Sequence, residues 1–392
     1  MLLGIDFGTS NFCAAVMIDE NLRLVKEPVK QGYSFPSSIY LDESGEILIG
    51  HFAETKKIKD SSRYRSEIKP DLIQEHPYIL GQNGEYEFTA QQLIAEILKF
   101  LKNEAEKITF ALDKGEITDV VITIPATYRK NKRDAMIEAA KNAGFISIQL
   151  IEEPVAAAIY YHQQNPATFR EGDIILIYDL GGGTFDATLI EKFSNGFRVL
   201  SQPVGIENCG GINFDRAIFQ HLKANCSQQL QEKLSARGDS PEKNSLLDFC
   251  RHIKHQFSGT TEAIGHIPID HQLYELNRDD FNRMIDVYVE QTIVCCENLI
   301  KSAGLELQDI SKILMVGGSC RIPYIQESIE SRLESSVLLI DEPELAVCHG
   351  AAIKKLISHS LQKEEIEFVE RQKSEIETKK ENLHPKDPFY LF

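Results

Sequence analysis

The sequence predicts an α/β protein built from two related halves, and three observations predict it. A hydrophobic strand ending in an acidic residue and opening into a glycine-rich turn occurs twice, as Leu3-Gly4-Ile5-Asp6-Phe7-Gly8-Thr9-Ser10 and as Ile177-Tyr178-Asp179-Leu180-Gly181-Gly182-Gly183-Thr184. After each turn the apolar pattern first alternates as a hairpin does, then gives way to helices and single strands. The length, 392 residues, exceeds what one hydrophobic core usually serves. The halves share pattern and little residue identity, so the repeat is one of structural plan.

In the first half, Leu2 to Asp6 and Phe12 to Ile18 read as hairpin strands around Gly8 to Asn11, with a third strand near Leu22 to Val25. Thr89 caps a helix with Gln92 three positions on, and Leu93, Ile94, Ile97, Leu98 and Leu101 form its packing stripe. Asp119 to Ile124 reads as a buried strand stopped by Pro125. A helix from Arg129 to Ala143 ends at Gly144, and a strand runs through Leu150. Pro154 suits the first turn of another helix, which leaves Glu152 and Glu153 at a strand-to-helix junction, the place where α/β folds border their ligand clefts.

In the second half, Ile174 to Asp179, Phe185 to Glu191 and Phe197 to Val204 repeat the hairpin plan. Ser240 and Pro241 open a helix with Leu246, Leu247, Cys250, Ile253 and Phe257 on one face and Arg251, Lys254, His255 and Ser258 on another. A long helix ending near Gly304 leads to strand Ile313 to Val316, the turn Gly317-Gly318-Ser319 and a helix around Pro323. From Lys363 to Glu381 Glu and Lys crowd a segment with too few apolar residues for a core face, which predicts a solvated helix or frayed tail.

Charge and composition narrow the function. A formal net charge of −17 repels phosphate backbones and anionic membrane surfaces, so nucleic acid and membrane are not expected partners, and any phosphate site must be built locally. The eight cysteines show no Cys-x-x-Cys or zinc-like spacing and read as small buried thiols in a reducing cytoplasm. No basic segment precedes the first apolar stretch, and no apolar run reaches membrane-spanning length. A lone glycine triplet is often only a tight hairpin. Two such turns, each with an aspartate and a hydroxyl, instead suit clamping a polyphosphate and its hydrated divalent cation between them.

Five ordered segments together resemble the nucleotide-binding part of the 70-kDa heat-shock chaperones, within the actin-like ATPase superfamily. Ile5-Asp6-Phe7-Gly8-Thr9-Ser10 is similar to the family's first phosphate turn, and Asp179-Leu180-Gly181-Gly182-Gly183-Thr184-Phe185-Asp186 to its second. Glu153-Pro154-Val155-Ala156-Ala157-Ala158 resembles the interlobe helix start. Gly317-Gly318-Ser319-Cys320-Arg321-Ile322-Pro323 resembles the adenosine loop, and Ala346-Val347-Cys348-His349-Gly350-Ala351-Ala352 the closing helix.

The resemblance implies an actin-like ATPase fold of two ribonuclease-H-like lobes around a central nucleotide cleft. Lobe I would span 1–172, with core 1–36 and 118–172 and an inserted subdomain at about 37–117. Lobe II would span 173–358, with core 173–207 and about 290–340 and an inserted subdomain at about 208–289; residues of about 341–358 would pack back on lobe I, and 359–392 would form a charged tail. Neither the hydrophobic linker nor the peptide-binding domain of the full-length family is recognised in this sequence. ATP or ADP with Mg²⁺ would be the ligand, and a co-chaperone, nucleotide-exchange factor or other protein the partner.

The same resemblance assigns roles position by position. Gly8, Thr9, Ser10, Asn11 and Gly181, Gly182, Gly183 and Thr184 would contact phosphates, while Asp6 and Asp179 would hold magnesium through water. Asp179, Glu153, Thr184 and Lys69 would hold the attacking water and Thr184 and Asp186 would line the γ-phosphate side, with Lys69 as the catalytic lysine or Lys56 or Lys57 in its place. Gly210, Gly211, Lys254, His255, Ser258, Gly317, Gly318, Ser319, Arg321 and Glu344 would surround ribose and adenine. The chain departs from the family pattern at Ile212 and Asn213, where acidic residues are usual, and at Arg251 and His255, where a glutamate and an arginine are usual. Three other readings remain open: an ATP-closing module with little hydrolysis, a small-molecule kinase of the superfamily, and an actin-like filament former.

Overall fold

Two six-stranded sheets organise the computed structural model, which describes residues 1–353 except 82, 83, 85, 195, 236–240, 270, 341, 343 and 344. At the centre of the first, Leu2–Phe7 pairs antiparallel with Asn11–Ile18 and parallel with Asp119–Ile124. Asn21–Leu24 extends one side and Ser147–Glu152 the other, while the short strand Phe35–Pro36 pairs with Asn11–Ile18. Seven of the eight residues of Asn11–Ile18 are buried, so this strand reads as an unbroken apolar run.

The second sheet repeats this order. Ile174–Leu180 pairs antiparallel with Thr184–Phe193 and parallel with Ile310–Val316, which in turn pairs parallel with Val337–Leu339. One expected strand divides. Phe197 to Val204 becomes Gly196–Val199 and Val204–Glu207, both paired with Thr184–Phe193. Pro203 has no N–H to donate to a ladder, and the chain breaks its pairing just before Val204.

Helix Ala90–Ala111 carries the capping box read from its sequence: Thr89 Oγ1 accepts from the Gln92 N–H at 3.1 Å, and Gln92 Oε1 accepts from the Thr89 N–H at 2.8 Å. Its buried stripe of Leu93, Ile94, Ile97, Leu98 and Leu101 belongs to one core with Leu3, Ile5, Val16 and Ile122 of the first sheet. A larger core beneath the second sheet gathers Phe185, Phe214, Ile253, Phe281 and Ile313.

Between the sheets lie helix Glu153–Gln164 and the helical residues 345–353. A third apolar cluster joins Leu2, Met17 and Val121 of the first sheet to Ile175, Ile177, Leu314 and Val316 of the second through Ala156, Ala157, Ala346, Val347 and Ala351 of these helices. The helices touch at Gly350, where an added Cβ would strike the Ala156 carbonyl. Only a residue without a side chain permits that approach. Among the described residues no helix is long and apolar enough to cross a membrane. Ser240 and the charged segment from Lys363 lie outside the described residues.

Candidate functional site

Strand register decides which carboxylates meet. Asp179 and Asp186 are directly paired across the second hairpin, so both side chains leave the same face. Asp6 stands in the matching place in the first sheet, near the C-terminal end of Leu2–Phe7, where Thr123 of the adjoining parallel strand donates to its Oδ1 at 2.9 Å. Glu153 opens the helix that follows Ser147–Glu152. Lys69 comes from a short 3-10 turn, Lys69–Asp71, and is 4% exposed; its Nζ lies 2.7 Å from Glu153 Oε1.

These groups act on one another electrically. Burial, then Glu153, pushes Asp6 up to about 6, against the pull of Lys69 and Thr123. Burial with Asp186, Glu153 and Asp6 pushes Asp179 up to about 8, again opposed by Lys69. Asp186 rises to about 6 through burial and Glu153, moderated by Lys69 and a hydrogen bond from Thr184. For Lys69 burial alone would lower the value, but Glu153, Tyr128 and Asp6 hold it above the ordinary lysine range. Four carboxyl groups around one ammonium leave a buried excess of negative charge, which a divalent cation would relieve.

Magnesium fits this donor set in one manner. Among the described residues no three His, Cys, Asp or Glu side chains converge to ligate a metal directly. Mg²⁺ commonly keeps several waters and leans on one or two carboxylates plus substrate phosphates, which matches Asp6 and Asp179 as holders through water.

Three turns knit together beside the acids. The N–H groups of Gly211 and Ile212 donate to the carbonyls of Gly181 and Gly182, at 3.1 and 2.6 Å, and Ser319 Oγ donates to the Gly181 carbonyl at 2.8 Å. Gly317 has φ 93°, and a Cβ there would strike the Leu180 carbonyl, so this turn closes only with glycine. Gly211 also opens helix Gly211–Asn225, whose first N–H groups are spent on the carbonyls of Gly181, Gly182 and Gly210.

Next to these turns is a cavity of about 380 Å³, lined by Gly181, Gly182, Gly211 and Ile212, by Gly318, Ser319 and Arg321, and along one wall by Arg251, Lys254, His255 and Ser258. That volume suits a small ligand. Lys254 donates to the Gly211 carbonyl at 2.9 Å and pairs with Asp215 at 2.8 Å, so it fixes the wall to the second turn.

Gly181, Gly182, Gly211, Lys254, His255, Ser258, Gly318, Ser319 and Arg321, all singled out from sequence, line this cavity. Gly8, Thr9, Ser10 and Asn11 form the first turn, held by Ser37, whose Oγ donates to the Gly8 carbonyl at 2.8 Å and whose N–H donates to the Ser10 carbonyl at 2.9 Å. Thr9, Ser10, Asn11 and Thr184 are exposed. Gly183 stands next to Ile212, and Gly210 abuts Gly181 and Gly182. Lys69, not Lys56 or Lys57, meets Glu153; Lys57 lies over the Tyr64 ring at 4.6 Å, and Lys56 is exposed. Glu344 lies outside the described residues.

Sequence reasoning missed Thr123, Tyr128 and Ser37. A threonine inside the apolar strand Asp119–Ile124 was the available signal for the first. Tyr128 and Ser37 had none, because their roles come from distant chain segments.

A family model described as Hsp70 protein matches residues 71–384, well over half of the chain. The chain belongs to the Hsp70 family. Its two sheets of matching order carry the actin-like ATPase fold, and the matched stretch is the family's nucleotide-binding ATPase region. Within the Hsp70 match fall Glu153, the Asp179 turn, the Arg251 to Ser258 wall and the Gly317 turn. Asp6 and Lys69 precede it, so their membership in the site stands on geometry alone.

Proposed function

We propose that this Hsp70-family protein binds ATP or ADP with Mg²⁺ between its two halves and hydrolyses ATP. The observation that supports this most is the cluster of buried Lys69 with half-buried Glu153, Asp6, Asp179 and Asp186, assembled from both sheets next to glycine turns. Thr9 and Ser10 on one side and the Gly181 to Thr184 turn on the other bind the phosphates. Asp6 and Asp179 would hold magnesium through water, and the ion would supply charge neutralisation at the phosphate oxygens. Lys69 offsets charge on the transferred phosphoryl group, and Glu153 with Asp179 orients the attacking water; Thr184 and Asp186 complete its surroundings. Positioning and charge cancellation are what phosphoryl transfer asks of a protein, and no covalent nucleophile is required.

Closure of the two halves on the γ-phosphate then gates a protein partner, such as a co-chaperone or exchange factor, in a chaperone-like cycle. Eight free cysteines, seven of them buried, support a reducing compartment such as the cytoplasm. Calorimetric titration with ATP and ADP, with and without magnesium, followed by single-turnover hydrolysis, tests the reading. Magnesium-dependent binding and phosphate release are expected, with stimulation by a J-domain protein if the cycle is chaperone-like. Tight binding without phosphate release identifies a nucleotide-closing module instead.

A further inference from the structure

If the phosphates sit on the glycine turns, the sugar would enter the adjoining 380 Å³ cavity, whose wall presents cations around one buried carboxylate, Asp215. Arg251, Lys254 and His255 share one face of Pro241–Gln256, and Ser258 follows in the turn after it, so the end of this helix lines the cavity from rim to floor. Lys254 is the floor. Its Nζ reaches the Gly211 carbonyl beside the glycine turns, so on the nucleotide reading this level of the wall would face the junction of sugar and phosphate. Arg251 stands about one turn towards the helix N-terminus and opens to solvent.

The one acidic residue in the lining, Asp215, is buried and neutralised: Oδ1 lies 2.8 Å from Lys254, and Oδ2 lies 3.7 Å from Arg251 Nε. At 3% exposure it faces these two cations and not the open cavity. The other contact of Arg251, to Asp248 at 3.2 Å, joins two exposed side chains, and such surface pairs contribute little and exchange readily. Arg321 adds a third cation to the lining. His255 answers to this field, its value lowered by burial and then by Lys254, with Arg251 adding to the effect. In a chain of net charge −17, a wall of this sign is a local construction suited to an anion.

We propose that the site prefers a nucleotide whose ribose carries a phosphate of its own, at the 2′ or 3′ position, bound by Arg251 at the rim of the cavity. This rests on the nucleotide reading above and specifies its ligand. Arginine presents a fork of donors that meets a phosphate in two parallel charged hydrogen bonds, a stronger contact than its present ones to Asp215 and Asp248.

The test is calorimetric titration of the full chain with Mg-ADP, with ADP bearing a 2′-phosphate, and with ADP bearing a 3′-phosphate. One of the two phosphorylated ligands is expected to bind about tenfold or more tighter than ADP, the scale of a charged hydrogen-bonded contact, with an advantage that shrinks as salt rises. Arg251→Ala should bring the ratio of affinities close to one, and Arg251→Lys should keep part of the preference. Binding of ADP with no gain for either phosphorylated ligand, or a gain that survives Arg251→Ala, overturns this inference and leaves the nucleotide reading standing. Failure of all three to bind overturns both.

Discussion

Asp179 carries opposing demands, being half-buried among three other acids yet expected to face a cation. Without ligand its carboxyl is pushed up to about 8, so it holds its proton at neutral pH. Asp179→Asn keeps the shape of the protonated form and removes the charge problem. In nucleotide-free buffer containing EDTA the variant should melt a few degrees higher, about 2–5 °C, read by calorimetry. The same substitution should lower single-turnover hydrolysis about a hundred-fold or more, as should Lys69→Ala. Lys69→Ala differs in the melt, because Glu153 and Asp6 lose Lys69 as a counter-ion and the midpoint falls. Of these groups the aspartates were legible, since each ends an apolar strand before glycines. Lys69 was legible only as one candidate among three: nothing in Arg65-Ser66-Glu67-Ile68-Lys69 announces a buried cation, and its setting arises from a Pro70 turn folded 84 positions away from Glu153.

Among the elements, hairpins and capped helices were read within a residue or two, because alternation, caps and proline stops are local signals. Phe197 to Val204 was read as one strand where two form, since the apolar pattern continues across a break that Pro203 imposes on hydrogen bonding. The contact between helix Glu153–Gln164 and residues 345–353 depends on one glycine. Gly350→Ala forces its methyl into the Ala156 carbonyl, and the helices must move apart. A loss of about 1–3 kcal/mol is expected in denaturant titration, the usual scale for overpacking. Nucleotide affinity should fall with it, since the same helix pair fixes where Glu153 stands relative to the Asp179 strand. An unchanged unfolding midpoint in this variant would refute the close crossing.

Across the whole molecule, the acid cluster ties stability to pH. Asp6, Asp179 and Asp186 keep protons in the folded state that the unfolded chain releases near pH 4, so ligand-free protein should lose stability as pH rises from about 4 to 8. A bound cation favours the ionised carboxylates and displaces those protons. Mg-nucleotide affinity should therefore climb over the same window, with proton release measurable by calorimetry in buffers of different ionisation enthalpy. The duplicated hairpin plan was legible from the two strand-and-turn segments, whereas the strand order of each sheet and the convergence of Lys69, Tyr128 and Thr123 were not, because they are set by how distant segments pack. The two helices between the sheets also act as gearing. Material close to the Gly350 crossing travels least when one half swivels, and the far rims travel most, so a twist of a few degrees is magnified into ångströms at the cleft mouth. Spectroscopic probes astride the crossing would stay silent while a pair at the outer edges reported every cycle.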